Sequence, residues 1–486
     1  MSSLLFALAL NLAAAAPATA PPTAQAPLVA AGRHANDGET FTIDSAIIGE
    51  QRRVFVHVPA SFAKTGPARR YPLLVVLDGE YRFSVTVQMS EALAVQGQIP
   101  ELVVVGIANT NRLRDLTPPG LSVSGSTTHE GGDRFLDFIE KELMPNVDAR
   151  FRTGAPRILA GHSSGGILAT YAAATRDTFR LTLALDTPIH LGDGWLARKL
   201  MERAAAHPAP PLRYVSYEAR FGWTDARWNA LVAAAPPSWV LHREHLAHET
   251  HNSMLLLSTY LGLRELFLDY SMLVAPESPT TSTLPHYAKL AAACGGALVP
   301  PQPLFSQVVE DLLIEGRGAE ARAAYDGLVA AYGAQAQDEE LRAHIAEVEK
   351  LPPPAETVES LQATPFPTAD EGRAWIGDWL GQAWVNDGDR DRAELHIAAR
   401  DGRLEGTWVS YPEPDVRLEQ KLEYLRVVPG GLTFGFMNGM RPRGMLLHEG
   451  LLKDGVLSGT IRFGGVNVVR PPGEEMPTFH FALRKG

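Results

Sequence analysis

Residues 41–47 (FTIDSAI) and 52–62 (RRVFVHVPASF) alternate apolar and polar side chains, the period of half-buried strands, and the short IGEQ between them predicts a hairpin. YPLLVVLDGEYRF breaks that alternation with an unbroken apolar run stopped at Asp78-Gly79. Such a run predicts a strand covered on both faces in a mostly parallel sheet. ELVVVGIANT, PRILAGHSS, LTLALDTP, LRYVSYEA and SWVLHREHLA repeat the theme, each a short β-rich run ended by a polar or glycine-containing break. Between them lie helical patterns such as GGDRFLDFIEKELMPNVD, with Phe135, Phe138, Ile139, Leu143 and Met144 at apolar positions. Strands alternating with helices over residues 40–270 predict one α/β domain.

From about residue 278 to 351 the pattern is all-helical. LFSQVVEDLLIEGRGAEARAAYDGLVAAYG predicts a helix, a glycine-containing turn and a second helix, similar to one tetratricopeptide unit. A lone unit leaves a face uncovered and is expected to pack on its neighbours. KLPPPAETVESLQATPFPTADEG reads as a proline-rich linker. Beyond it, AELHIAARDGRLEGTW and MLLHEGLLKDGVLSGTIRF each predict strand, Asp-Gly turn and strand, and VVPGGLTFGF a further hairpin. Repeated hairpins predict a small antiparallel barrel or sandwich, and WIGDWLGQAW resembles the opening of lipocalin-like barrels. The expected divisions are a leader (1–26), an α/β domain (27–277), a helical segment (278–351), a linker (352–372) and an antiparallel β-domain (373–486).

The leader carries an apolar run over residues 4–16 followed by small, Ala-rich positions, which predicts a secretory signal and a periplasmic or secreted protein. No Lys or Arg precedes the run, so a disordered leader on a cytoplasmic protein is the alternative. No integral membrane segment is expected, since no other stretch approaches a spanning length. The chain of 486 residues carries a net charge of −11 without any Lys/Arg run, which argues against nucleic acid as a partner. Its single cysteine, Cys294, excludes a disulfide framework and a Cys-rich zinc site, and reads as a small core residue.

In RILAGHSSGGILATYAAA two serines stand side by side, but only Ser163 lies in a G-x-S-x-G frame, because residue 162 is histidine. The frame follows the buried run RILA and opens the helical GILATYAAAT, the strand-turn-helix setting that exposes a nucleophilic serine. The Ser164 backbone N–H, at the start of that helix, would face a developing oxyanion, and the backbone N–H of Glu80, after the earlier buried strand, is the expected second donor. The serine needs a base. SWVLHREHLAHETHNSM offers His242, His245, His248 and His251, of which His251 lies in a polar loop just before a helix and is favoured, with His248 as the fallback. Alternation through Val240, His242 and Glu244 splays His242 and His245 to opposite faces of a strand, and H-E-x-x-H is absent, so no metal is expected. The orienting acid should end a strand between nucleophile and base: Glu218 is favoured, with Asp225 and Asp186 as rivals. Arg112 and Arg114 are placed either to meet an anionic substrate or to pair with a carboxylate such as Asp115.

YPLLVVLDGEYRF, VVVGIANTNRLRDLTP, FLDFIEKELMPNVDARFRT, RILAGHSSGG and ETHNSM, in that order, resemble the esterase branch of the α/β hydrolases. That branch includes enterobactin-type siderophore esterases, S-formylglutathione hydrolases and feruloyl esterases. The resemblance implies an α/β-hydrolase sheet, Ser163 as nucleophile, His251 as base, a carboxylate near Glu218, and hydrolysis of a small-molecule carboxylic ester or thioester without metal or organic cofactor. Acyl transfer to an alcohol through the same residues, or an inactive hydrolase-fold scaffold, are the alternative readings. Relatives carry a Pro-Ser and tryptophan pair after the strand ending at Asp186, whereas this chain reads LDTPIHLGDGWL, leaving Trp195 either lining the pocket or packing.

Overall fold

The computed structural model describes residues 38–121, 130–206, 211–274, 283–334, 338–352, 356, 358–386, 388–413, 415–437, 444–465 and 477–486. The leader lies outside the described residues. Contacts divide the rest into two compact units, residues 27–307 with 326–334, and residues 308–325 with 335–486.

The first unit is built on an eight-stranded sheet: β1 (Glu39–Ser45), β2 (Glu50–His57), β3 (Tyr71–Val76), β4 (Val103–Ile107), β5 (Thr153–His162), β6 (Leu181–Leu185), β7 (Leu212–Glu218) and β8 (Trp239–His245). Its order is β1-β2-β4-β3-β5-β6-β7-β8. The β1–β2 hairpin and the β2–β4 pair are antiparallel, and every later pairing is parallel. Its helices are α1 (Gly79–Val95), α2 (Arg112–Leu116), α3 (Gly132–Phe138), α4 (Met144–Phe151), α5 (Ser164–Thr175), α6 (Leu191–Ala205), α7 (Asp225–Ala234) and α8 (Leu255–Leu266), with a π-turn over Ile139–Leu143 joining α3 to α4.

The continuous apolar runs have a simple cause. Leu73 and Val75 point into one core with Val103, Val105 and Leu159, while Leu74 and Val76 point into the opposite core with Val104, Ile158 and Ala160. Alternate residues of one strand thus serve two layers, each fully buried Leu or Val stabilising the fold by about 1.5–3 kcal/mol. Helices cover both faces, leaving the carboxyl ends of β3, β5, β6, β7 and β8 free to carry loops at one edge of the sheet. Helix α9 (Leu284–Cys294) packs Tyr287, Leu290 and Ala291 onto the second core, with Cys294 half-buried beside them. Helices α10 (Gln302–Ile314) and α11 (Gly318–Tyr332) form the expected helical pair, turned at Gly316 with φ of 71°. Two further helices, α12 (Asp338–Val348) and the short α13 (Val358–Gln362), precede the β-strands, so the proline-rich stretch is partly helical.

The second unit holds one antiparallel sheet of nine strands: β9 (Gly377–Val385), β10 (Arg390–Arg400), β11 (Arg403–Glu413), β12 (Val416–Lys421), β13 (Tyr424–Val428), β14 (Gly431–Met437), β15 (Met445–Lys453), β16 (Val456–Gly464) and β17 (Phe479–Lys485). Its order is β12-β11-β10-β9-β17-β16-β15-β14-β13. Both Asp-Gly turns have positive φ at each centre, Asp401 and Gly402 at 49° and 78°, Asp454 and Gly455 at 51° and 75°. That is the backbone a two-residue hairpin needs to match strand twist. The two edge strands are consecutive in the chain. Leu422 N–H bonds Gly406 O at 2.9 Å and Glu423 N–H bonds Gly435 O at 2.8 Å, so one residue belongs to each edge. The sheet is therefore curled so that its edge strands approach at these two residues without pairing, a half-barrel and thus the barrel-like form of the two expected.

Trp379, Leu395, Trp408, Leu432, Phe434, Phe481 and Leu483 fill the inside of the curl. At its centre lies the buried His448, its ring 4.4 Å from Trp408 and 4.5 Å from Phe434 between centroids. Its Nδ1 has no hydrogen-bond partner among the described residues. Burial pushes its pKa down to about 3. In the unfolded chain the same imidazole titrates near 6.5. Between those values only the unfolded state takes up the proton, so stability falls as pH drops from about 6.5 towards 3, by up to about 1.4 kcal/mol per pH unit. Native-state amide exchange of β14 and β15, measured from pH 7 to 5, should show this loss in the wild type and a shallower one in His448→Phe. Parallel slopes in the two proteins would contradict it.

Candidate active site

The turn from β5 to α5 places Ser163 at φ 57°, ψ −119°, a left-handed conformation that costs about 1–3 kcal/mol for a residue with a side chain. Its backbone N–H is anchored to Leu185 O at 2.9 Å. Two glycines permit the crowding: a Cβ on Gly161 would stand 2.1 Å from Gly165 O, and one on Gly166 2.1 Å from Thr187 Oγ1. Asp186 directly follows the Leu185 that anchors the serine. Its carboxylate is wholly buried; Oδ1 accepts from the backbone N–H groups of Ala219, Arg220 and Phe221 at 2.7, 2.8 and 2.8 Å. Oδ2 lies 2.5 Å from His251 Nδ1. Burial alone would raise the Asp186 pKa, but the bonds from His251 and the three amides outweigh it and hold the carboxyl below its ordinary range.

His251 stands in the loop between β8 and α8. The loop is shaped by reciprocal bonds, Thr250 N–H to Ser253 Oγ at 2.8 Å and Ser253 N–H to Thr250 Oγ1 at 3.2 Å, and its start is tied to the sheet by Leu246 N–H to Glu218 O at 2.7 Å. Phe221 sets its ring edge-on to His251, 5.3 Å between centroids. The neighbouring His162 directs Nε2 at the His251 carbonyl, 2.8 Å away. Of the other histidines, His242 and His245 lie on β8 and His248 is exposed in the loop.

The carboxylate joined to His251 is thus that of Asp186, and the expectation of Glu218 is corrected. Glu218 ends β7, one strand further from β5, and its oxygens are already engaged: Oε1 accepts from Trp223 N–H at 2.7 Å and Oε2 from Arg243 Nε at 2.9 Å. Burial raises its pKa against both partners. Asp225 is exposed and pairs with Arg243 at 2.7 Å. The signal for Asp186 was sheet order, since β6 lies beside β5 and delivers its last residue next to the serine turn.

Ser164 and Glu80 each lie in the first turn of a helix, α5 and α1, where backbone N–H groups have no acceptor within the helix. The two helices start from the adjacent strands β5 and β3. The Glu80 carboxylate is fixed by Asn109, through the backbone N–H at 3.1 Å and Nδ2 at 2.9 Å. Arg112 grips Asp78 with Nε at 2.6 Å and Nη2 at 2.9 Å, and Nη1 donates to Ser164 Oγ at 3.2 Å, so Arg112 braces the turn between the two helix starts. Arg114 pairs with Asp115 and Glu50 instead. Trp195 stacks on Tyr171 at 5.8 Å and packs against the core. His162, Asp186 and His251 are the one His/Cys/Asp/Glu cluster among the described residues with ligand atoms within 4.8 Å of each other. His162 Nε2, His251 Nδ1 and both Asp186 oxygens are already spent on hydrogen bonds.

Residues 45–189 match the family model described as Putative esterase. The chain is 27% identical over 169 residues to the ferri-bacillibactin esterase BesA of Bacillus subtilis, covering 30% of this chain and 56% of that protein. It is 32% identical over 117 residues to the siderophore triacetylfusarinine C esterase of Aspergillus fumigatus, covering 22% and 39% respectively. The chain spans about half the length of the curated relatives it matches, between 39% and 56%. Among solved structures, an IroE-like serine hydrolase from Shewanella oneidensis is 26% identical, with 63% of this chain and 99% of that chain covered at a TM-score of 0.48. No helix among the described residues is long and apolar enough to cross a membrane.

Proposed function

We propose that the α/β unit is a serine esterase in which Ser163 is the nucleophile, His251 the general base and Asp186 the orienting acid. The observation that carries this reading is the His251–Asp186 bond of 2.5 Å, set beside a serine held in a strained turn. Asp186 accepts a hydrogen bond from Nδ1–H and so keeps the ring proton there, leaving Nε2 unprotonated, the form that can take a proton from Ser163 Oγ. The serine oxygen attacks the ester carbonyl while the Ser164 and Glu80 amides stabilise the oxyanion. Protonated His251 then gives its proton to the leaving alcohol, and an acyl group stays on Ser163. Water, deprotonated by the same imidazole, attacks that acyl group and restores the serine. Arg112 acts as a brace for Ser164 in this scheme and not as a substrate anchor.

Both curated relatives described above are named for siderophore esters, and hydrolysis of a siderophore-type ester is the narrower form of the proposal. The apolar run over residues 4–16 supports work outside the cytoplasm. Incubation with a fluorophosphonate, followed by peptide mass mapping, is expected to place one adduct on Ser163 and to stop p-nitrophenyl ester turnover in step. Full labelling of another residue, or turnover that survives labelling, would refute the assignment.

A further inference from the structure

The histidine that precedes the nucleophile plays no part in the scheme above, yet it is 8% exposed and aimed at the base. We propose that His162 is a positioning residue, whose Nε2–H bond to the His251 carbonyl and ring contact with His251 lock the base-bearing loop to the nucleophile turn. The proposal rests on the esterase reading for its kinetic part and on geometry alone for the rest.

A carbonyl oxygen only accepts, so the 2.8 Å contact requires the proton on His162 Nε2. The ring centroids of His162 and His251 are 4.4 Å apart, tilted by 35°. The bonds between Thr250 and Ser253 shape the loop internally, and the Leu246 bond fixes only its start, five residues earlier. The His162 bond instead reaches the backbone of His251 itself, from a residue covalently joined to Ser163. Nucleophile and base are thereby tied through one side chain.

The tie needs a neutral ring, since a charged imidazole this near would oppose protonation of His251 during the reaction. Burial, then the buried guanidinium of Arg82 on α1, then the His251 ring push the His162 pKa down to about 4, against the weaker opposing effects of the bond to the His251 carbonyl and of Asp186. Arg112 adds a second cation near the His162 carbonyl, 3.5 Å from Nη2. His162 is therefore neutral near neutral pH.

The test compares His162→Met, which fills the space without a donor, with His162→Gln, whose amide reaches about as far as Nε2. The Met variant is expected to lose about 30–100-fold in kcat on p-nitrophenyl acetate with KM within about threefold, as a misplaced base predicts, and to shift the acid limb of its pH profile. The Gln variant should recover to within about fivefold of wild type. A Met variant within threefold of wild type, or a folded Gln variant no better than Met, would overturn the proposal. A wild type inert towards every ester would sink the esterase reading alone. In that case ¹H–¹⁵N spectra of the wild-type histidine side chains still decide: His162 neutral with the proton on Nε2 at pH 6 supports the tie, and an Nδ1–H tautomer or a charged ring overturns it.

Discussion

Ser163→Ala should lower kcat towards p-nitrophenyl acetate by about 10⁴–10⁶-fold while leaving the melting temperature within a few degrees of wild type. The alanine removes the oxygen that carries the acyl group in the proposed scheme, so the two-step route would be lost. What remains is the field of the first-turn amides of α1 and α5 acting on attack by water, a residual that similar sites retain. Stability should hardly move, because a Cβ is still present at φ 57° and the Leu185 anchor uses only the backbone N–H. Purified variant and wild type, compared by turnover and by circular dichroism melting, give the result directly. A folded Ser163→Ala variant with more than a tenth of wild-type kcat would place the chemistry elsewhere.

Asp186→Asn is the second large effect, about 10³–10⁴-fold in kcat with KM little changed. Three backbone N–H groups converge on Oδ1, so the asparagine must keep its oxygen there and turn its NH₂ towards His251. Nδ1 of the imidazole then has to accept, which moves the ring proton to Nε2, the nitrogen that takes the serine proton in the proposed scheme. A base that already carries a proton there cannot take another. Glu218→Gln serves as the contrast, because it disturbs the Arg243 pair and should cost stability while leaving kcat within about tenfold. Reversal of that ranking between positions 186 and 218 would return the acid to the end of β7.

The parallel strands were legible in the sequence because burial on both faces leaves no polar position to interrupt Leu73 to Val76 or Val103 to Val105. The hairpins of the second unit were equally plain, since Asp401-Gly402 and Asp454-Gly455 are dipeptides that tolerate positive φ on both residues. Ser163, by its frame, and His251, by its place before α8, are candidates that a local reading offers. The carboxylate bonded to His251 was hidden because its identity depends on which strand lies next to β5. Chain order favoured Glu218 over Asp225 and Asp186, and only the pairing of β5 with β6 brings Asp186 beside the serine turn. The contact from His162 was hidden for the same reason, as it reaches across 89 residues to a carbonyl oxygen that leaves no trace in composition.

The pairing of β17 with β9 has a consequence for how this sheet is closed during folding. The ninth strand of this sheet in chain order sits in the middle of the nine, between the first strand of the sheet and β16, and carries Phe481 and Leu483 into the interior. Until β17 is in place the sheet is two unjoined fragments, β12-β11-β10-β9 and β16-β15-β14-β13. Loss of residues 479–485 would therefore cleave the sheet through its centre instead of trimming its border.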